Sequence, residues 1–154
     1  MHCLKRYFVI VPMTAAVSLL TVSCTESKIS QCQKIIDVAN QAVNETKSLT
    51  NNGQTSDTTA MLKAADAMEK ASKDMKAIEI KDEKLKNYQT GYVSMYRDTS
   101  KATRDFVTAF KKKNRPAAET ALSNLQRATA SEPQLANGLN AYCKPQQSPA
   151  EKSK

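Results

Sequence analysis

The chain has 154 residues, and its 23 Lys and Arg outnumber its 15 Asp and Glu, which gives a net charge of +8 at pH 7. This length is enough for one domain with its own hydrophobic core. The three glycines stand far apart in the sequence, which excludes the glycine-rich loops that cradle phosphates.

The first element is a short apolar segment that begins at about Tyr7, after Lys5 and Arg6, and ends in Leu-Thr-Val-Ser-Cys at residues 20–24. A positive region, an apolar region and small residues are typical of an export signal. With the closing cysteine, the segment resembles the lipobox of bacterial lipoprotein precursors. The resemblance implies that residues 1–23 are removed and that Cys24 carries lipid such as palmitate. The protein would then be tethered to the cell membrane or outer membrane and would face the periplasm or another extracytoplasmic space.

Two other interpretations of this segment stay open. It could be an ordinary signal whose removal leaves Cys24 as a free thiol, or a membrane span that is retained. A span needs about 20 apolar residues, whereas the segment from Tyr7 to Val22 is shorter and contains Pro12. An unpaired thiol is uncommon in exported proteins. The lipoprotein interpretation is therefore favoured.

Removal of residues 1–23 would narrow the chemistry that the chain can perform, because His2 is its single histidine. Di-iron sites, His-ligated haem, typical zinc sites and Ser-His or Cys-His nucleophiles would each lack a required residue. The carboxylates lie among Lys and Arg at helical spacing, as in Lys101 with Asp105, which is typical of a solvated helix face. We therefore expect no metal, no cofactor and no enzymatic activity.

Cys32 and Cys143 are the only thiols left once Cys3 is removed and Cys24 carries lipid. An oxidising compartment and a lone pair of cysteines predict a disulfide between them. The alternative is two separately buried thiols, because a free cysteine packs as a small apolar residue.

Helical periodicity covers almost all of the remaining chain. Apolar residues at alternating spacings of three and four predict a first helix at about 28–49, with Ile29 inward, and a second at about 57–78. The third, at about 83–113, continues through Gly91, where a neighbour is expected to approach closely, because the pattern keeps its phase on both sides. Its predicted seam is Leu85, Tyr88, Tyr92, Met95, Thr99, Ala102, Phe106 and Ala109.

A fourth helix is expected to start near Pro116, with Leu122 inward. Ser131 with Gln134 resembles a capping box and predicts that this helix breaks near Pro133 into a short fifth helix. Short connections favour antiparallel neighbours. The prediction is an all-α protein, an antiparallel four-helix bundle with up-down-up-down topology over residues 31–143. A short tether at 24–30 would precede it, and a disordered tail at 144–154 would follow it.

In this topology a basic cluster lies at the end opposite the anchor. It is the candidate surface for an acidic protein, an anionic polymer or a facing bilayer, and Tyr96 is added to it as a partly exposed aromatic. Its charged members are Lys111, Lys112, Lys113 and Arg115. Lysines at a helix C-terminus also stabilise the helix dipole, which requires no partner.

The mature part resembles small helical-bundle lipoproteins of cyanobacteria and other bacteria, and is similar in build to those that assist photosystem II. The short tether, the basic distal end and the missing catalytic groups indicate a non-enzymatic accessory or interaction module for a membrane complex or envelope component. A binding module for a small ligand or an anionic envelope polymer stays open as the alternative. Nucleic acid is not expected as a partner outside the cytoplasm, and the sequence does not indicate an oligomeric state.

Overall fold

The structure, a computed structural model, describes residues 26–144. These residues form helices that pack against one another, and no strand occurs among them, so the predicted all-α class is confirmed. The elements are α1 (Lys28–Leu49), α2 (Thr58–Ala77), α3 (Glu83–Lys111), α4 (Arg115–Thr129) and α5 (Glu132–Cys143).

Four of the helices begin at a side chain that caps the first turn. Each cap oxygen accepts a bond from a backbone N–H two or three residues further on, at 2.8–3.2 Å. Those N–H groups would otherwise lack a partner inside the helix. The caps are Ser27 for α1, Asp57 for α2, Asp82 for α3 and Asn114 for α4.

The structure at the junction between α4 and α5 differs from the capping box that was predicted there. Ser131 makes no capping bond through its side chain, and its φ of −82° and ψ of −11° are close to helical. A capping side chain reaches the first-turn N–H groups from an extended backbone, so the prediction of a capping box at Ser131 is wrong. Ala130 is also helical, with φ −59° and ψ −27°. The two residues between α4 and α5 therefore change the backbone conformation little.

Helix α3 contacts all the other helices. Its interfaces with α2 and α4 are the most extensive in the described part of the chain. Helix α4 packs mainly on α3, so Ala121 is its one fully buried residue, and Leu122 is 42% exposed instead of facing inward. The main core cluster comprises Cys32, Ile35, Ala42, Ala71, Met75, Ile80, Leu85, Tyr92, Met95, Tyr96 and Leu139.

The side-chain bonds between α2 and α3 run in opposite sequence order, because a later residue of α3 bonds to an earlier residue of α2. Gln89, near the start of α3, donates from Nε2 to the carbonyl oxygen of Met75, near the end of α2, at 2.8 Å. Further along α3, the Arg104 guanidinium lies 3.0 Å from the Glu69 carboxylate. The first part of α3 therefore lies beside the last part of α2.

The first turn of α1 is held by a buried glutamine that the sequence pattern did not reveal. Gln31 is only 3% exposed, whereas Ile29, expected to face inward, is 48% exposed. Gln31 Oε1 accepts from the backbone N–H of Lys81 at 2.7 Å and of Asp82 at 3.2 Å, and Nε2 donates to the carbonyl of Glu26 at 3.1 Å. Buried backbone N–H groups need acceptors, and meeting that need orients the turn so that Ile29 faces solvent.

Helix α1 begins at Lys28, where its periodicity predicted, and its first residues overlap the segment 24–30 that precedes the predicted bundle. The Glu26 carboxylate accepts from Ser30 Oγ at 2.7 Å and pairs with Lys34 Nζ at 2.8 Å. The bonds from Lys34 and Ser30 hold the pKa of Glu26 below its usual range. Residues 26–30 are thus joined to α1 by the Ser27 cap and by the bonds of Glu26.

Two glycines allow α5 to approach α3. A Cβ atom at Gly91 would lie 2.6 Å from Leu135 Cδ2, and one at Gly138 would lie 2.9 Å from Tyr88 Oη. Both distances are shorter than normal van der Waals contact. The predictions that α3 continues through Gly91 and that a neighbour approaches closely there are confirmed.

Candidate partner-binding surface

The cations of the predicted basic cluster lie on the turn that joins α3 to α4. The Lys113 N–H donates to the Phe110 carbonyl at 2.9 Å, and the Asn114 N–H donates to the Ala109 carbonyl at 2.9 Å. This pair of bonds is the Schellman arrangement, which closes a helix C-terminus around a residue in the left-handed conformation. Lys113 is that residue, with φ 54°. The turn leaves Lys111, Lys112, Lys113 and Arg115 exposed.

Left-handed backbone is unfavourable for a lysine. Glycine, the usual residue at this position, adopts it without a steric cost, whereas a residue with a Cβ loses about 1 kcal/mol. The chain therefore holds Lys113 at a position where glycine would be more stable.

The charge of the cluster is largely uncompensated within residues 26–144. Lys111, Lys112 and Lys113 make no ion pair with any described carboxylate, and only Arg115 is paired, with Glu119 at 2.9 Å. These side chains are exposed, so each contributes little to stability. Together they give this end of α3 a positive field.

Beside the cluster lies a concave surface that we call the Phe110 notch. The Phe110 ring forms its apolar wall, is 57% exposed and stacks on Phe106 with 6.0 Å between ring centroids. The notch has a volume of about 590 Å³, and α2, α3 and α4 all contribute to it. Its lining residues are Thr58, Ala109, Phe110, Lys111, Lys113, Asn114, Arg115 and Ala118.

The notch was not predicted from the sequence because Phe110 lies outside the predicted seam, one residue after Ala109. A large aromatic residue off the seam and next to a run of lysines was the signal that could have found it. Thr58, which forms the opposite side, is 52 residues away in the sequence. The concave shape itself therefore could not be predicted from the local sequence pattern.

Tyr96 does not belong to this surface, and its prediction as an exposed partner residue is wrong. It is 2% exposed and packs against Tyr92, with 5.7 Å between the ring centroids. Burial raises the pKa of the Tyr96 hydroxyl. The physical reason is that α3 packs against helices on more than one side, so its buried face is wider than a single seam.

The predicted cysteine pair lies at the other end of α3 from the notch. The sulfur atoms of Cys32 and Cys143 are 2.10 Å apart, at the bonding distance of a disulfide, and their Cα atoms are 5.8 Å apart. Next to them, the Tyr142 hydroxyl donates to Asp82 Oδ2 at 2.8 Å, and Lys28 Nζ lies 4.4 Å from the centroid of the Tyr142 ring. The predicted lipidation residue, Cys24, lies outside the described residues.

The chain matches no family model, no curated protein and no solved structure. Within residues 26–144, none of the helices is long and apolar enough to cross a bilayer. The same part of the chain brings together no group of three or more His, Cys, Asp or Glu side chains that could hold a metal ion. The surface residues of the helical domain are therefore the basis for a functional proposal.

A second concave surface, the α2–α3 groove, has a volume of about 460 Å³. It is also rich in cations, but most of them are paired: Lys73 lies 2.7 Å from Glu69, and Lys101 lies 2.6 Å from Asp105, the pair expected from the sequence. The bond from Lys73 lowers the pKa of Glu69, whereas a proton donor at neutral pH needs a raised pKa. Its lining residues are Glu69, Ser72, Lys73, Lys76, Val93, Arg97, Ser100, Lys101 and Arg104.

Proposed function

We propose that this chain is the precursor of a lipid-anchored extracytoplasmic protein whose helical domain is a non-enzymatic interaction module for a membrane complex or an envelope component. The observation that carries the proposal is the juxtaposition of unpaired cations with the exposed ring of Phe110. Exposed aromatic and basic side chains around a concave surface are typical of protein recognition sites. The motif that ends at Cys24 supports the membrane anchor.

The finer architecture is part of the same proposal. The helices alternate in direction, up-down-up-down, and the fourth breaks near Pro133 into the fifth. The bonds from Gln89 to Met75 and from Arg104 to Glu69 support the antiparallel arrangement of α2 and α3. In this arrangement the Phe110 notch lies about 38 Å from Leu85 along α3, at 1.5 Å per residue.

The start of the helical domain supports a close attachment to the membrane. Glu26 is already bonded to Ser30 and Lys34, so only Thr25 separates the domain from a lipidated Cys24. One residue spans at most about 3.6 Å. The end that carries Cys32 would therefore rest near the lipid headgroups, and the notch would face away from the membrane.

Substitution of Cys24 tests the anchor. In cells that carry the lipoprotein-processing enzymes, Cys24→Ser should abolish the incorporation of labelled palmitate and the recovery of the protein with membranes. Cys3→Ser is the matched control, because that cysteine would leave with the signal, and it should change neither. Palmitate labelling of the Cys24→Ser protein would refute the anchor.

Substitution of the cluster tests the interaction module. With a photo-crosslinking residue in place of Asn114, a specific partner should be crosslinked in cells, and replacement of Lys111 and Lys112 by Gln should remove that product. The control replaces Lys70 and Lys73, which are already paired, by Gln and should retain it. A crosslinking pattern that is the same in both variants would contradict the module.

The alternative function, binding of a small ligand or an anionic envelope polymer, is favoured by the α2–α3 groove. Lys76 lines that groove without an ion pair among the described residues. If the groove holds a polyanion, polyphosphate should bind with an affinity that falls on Lys76→Gln and does not change on Lys112→Gln. If instead the affinity for polyphosphate falls on Lys112→Gln and does not change on Lys76→Gln, polyanion binding would be assigned to the turn between α3 and α4.

A further inference from the structure

The Phe110 notch has an apolar wall and a basic rim, and each of these features selects a different part of a ligand. We propose that the notch binds a segment of a partner protein in which one large apolar side chain is flanked by Asp or Glu. This inference rests on the proposed function, because it specifies the partner chemistry of the same surface.

The apolar wall of the notch consists of Phe110 and the small residues around it. Ala109 is buried, and Ala109, Ala118 on α4 and Thr58 on α2 line the notch with small side chains. More than half of the Phe110 side chain therefore contacts water beside an empty concave surface. Covering it with an apolar side chain removes that area from water, which is favourable. The space is large enough for one such side chain and its adjoining backbone.

The rim of the notch is positively charged. Lys111, Lys113 and Arg115 line the notch, whereas no carboxylate does. In the α2–α3 groove, by contrast, Glu69 lies among the lining cations and pairs with Lys73 and Arg104. The unpaired ammonium groups of Lys111 and Lys113 thus lie beside the exposed aromatic ring, and carboxylates on both sides of the bound residue would meet them.

The conformation of Lys113 provides an observation independent of charge. Its left-handed backbone, at φ 54°, favours glycine. Residues kept in unfavourable conformations are concentrated at functional sites, where the side chain is needed in that position. At this turn the side chain supplies an ammonium group at the rim of the notch.

Other occupants fit the chemistry less well. A second copy of the chain would bring the same cations against each other. Outside the described part, Lys5 and Arg6 lie at one end, and at the other end Lys152 and Lys154 follow Glu151, the single acidic side chain there. An anionic bilayer would match the charge, but a flat surface favours a protruding aromatic side chain over a concave notch.

The test uses the full chain as the cell processes it, in phosphatidylcholine nanodiscs where it is lipidated. The probe is a fluorescent synthetic peptide with one Leu between runs of Glu, and binding is measured by anisotropy. Binding should weaken as salt concentration rises. A peptide with Ser in place of Leu, and another with Gln in place of Glu, should each bind more weakly.

Variants of the chain identify the surface. Phe110→Ser should weaken peptide binding by about 10- to 100-fold, as expected for the loss of one buried aromatic contact. Lys113→Gly should weaken it by about 2- to 5-fold and raise the melting temperature, because glycine relieves the left-handed strain. Ile29→Ser, at another exposed apolar residue, in α1, should leave binding unchanged. Circular dichroism checks that every variant is folded.

Three outcomes would overturn the inference. The first is equal peptide binding by Phe110→Ser and the unsubstituted chain. The second is equal binding of the Leu and Ser peptides. The third is binding to phosphatidylglycerol vesicles through Phe110 without binding to the peptide, which would assign the notch to a bilayer. Palmitate labelling at Cys24 would be unaffected by these outcomes, so failure of this inference is distinguishable from failure of the proposed anchor.

Discussion

Loss of the bond between Cys32 and Cys143 should have the largest effect on stability of any change considered for this domain. The two residues are 111 positions apart, so the bond closes almost the whole helical domain into one loop. Direct packing between α1 and α5 is much less extensive than packing between α2 and α3. The covalent bond is therefore the main restraint that keeps the two ends of the domain together.

The magnitude follows from the loop length. A cross-link lowers the conformational entropy of the unfolded chain, and the loop-entropy relation gives about 4.8 kcal/mol at 25 °C for a loop of this size. A domain of this length has a free energy of unfolding of roughly 6–18 kcal/mol. Loss of the bond should therefore remove a quarter or more of the stability. With a urea dependence of about 1.5 kcal/mol per M, the unfolding midpoint should fall by about 3 M.

The assay is urea unfolding of residues 25–154, which lack Cys3 and Cys24, with and without a reductant. The matched variant replaces Cys32 and Cys143 by Ala, because Cys32 is buried and a serine hydroxyl there would lack a partner. This variant should be as unstable as the reduced protein, and the reductant should not change it further. A loss below about 1 kcal/mol on reduction, or an equal effect of the reductant on the Ala variant, would refute the reasoning.

Two further predictions concern the same end of the domain. Gln31→Met should lower the free energy of unfolding by about 2 kcal/mol, because two backbone N–H groups of the α2–α3 linker lose their acceptor. The control Gln33→Met, on the exposed face of α1, should change the free energy of unfolding little. Equal losses in the two variants would contradict the role of Gln31. Asp82 accepts from the Leu85 N–H, which lowers its folded pKa, so its stabilising effect should be present above pH 4 and disappear as pH falls through that lowered value. Asp82→Asn keeps the cap and should make the acid loss of stability shallower, leaving the part that comes from Glu26 and Glu69. A slope in urea-unfolding data at pH 2–5 that does not change would argue against it.

The helices were predictable because their signals are local. Capping residues such as Asp57 and Asp82, and the change of chain direction at residues 51–53, act within one turn of the helix. The pairing of Cys32 with Cys143 was predictable for a different reason, since elimination left only two thiols. In each case few alternatives competed with the prediction.

The errors arose where contacts between distant residues decide the outcome. Gln31 is buried because it bonds to backbone groups 50 residues later, and that contact also turns Ile29 outward. Tyr96 is buried because several helices pack around α3, which a single-seam pattern does not describe. The Phe110 notch was not predicted because residues from three helices, α2, α3 and α4, line it. Periodicity reports which residues are apolar, but it does not report how many neighbours a helix has.

The spacing of the two bonded cysteines also affects the order of events when the protein is made. Cys143 follows Cys32 by 111 residues, so at about 5–20 residues per second it leaves the ribosome roughly 6–22 s later. Helices α1, α2 and α3 are all complete before the second sulfur atom exists. A chain that stops before Cys143 retains an unpaired thiol at Cys32, whereas a finished chain can form the bond. The bond thus chemically distinguishes complete molecules from truncated ones.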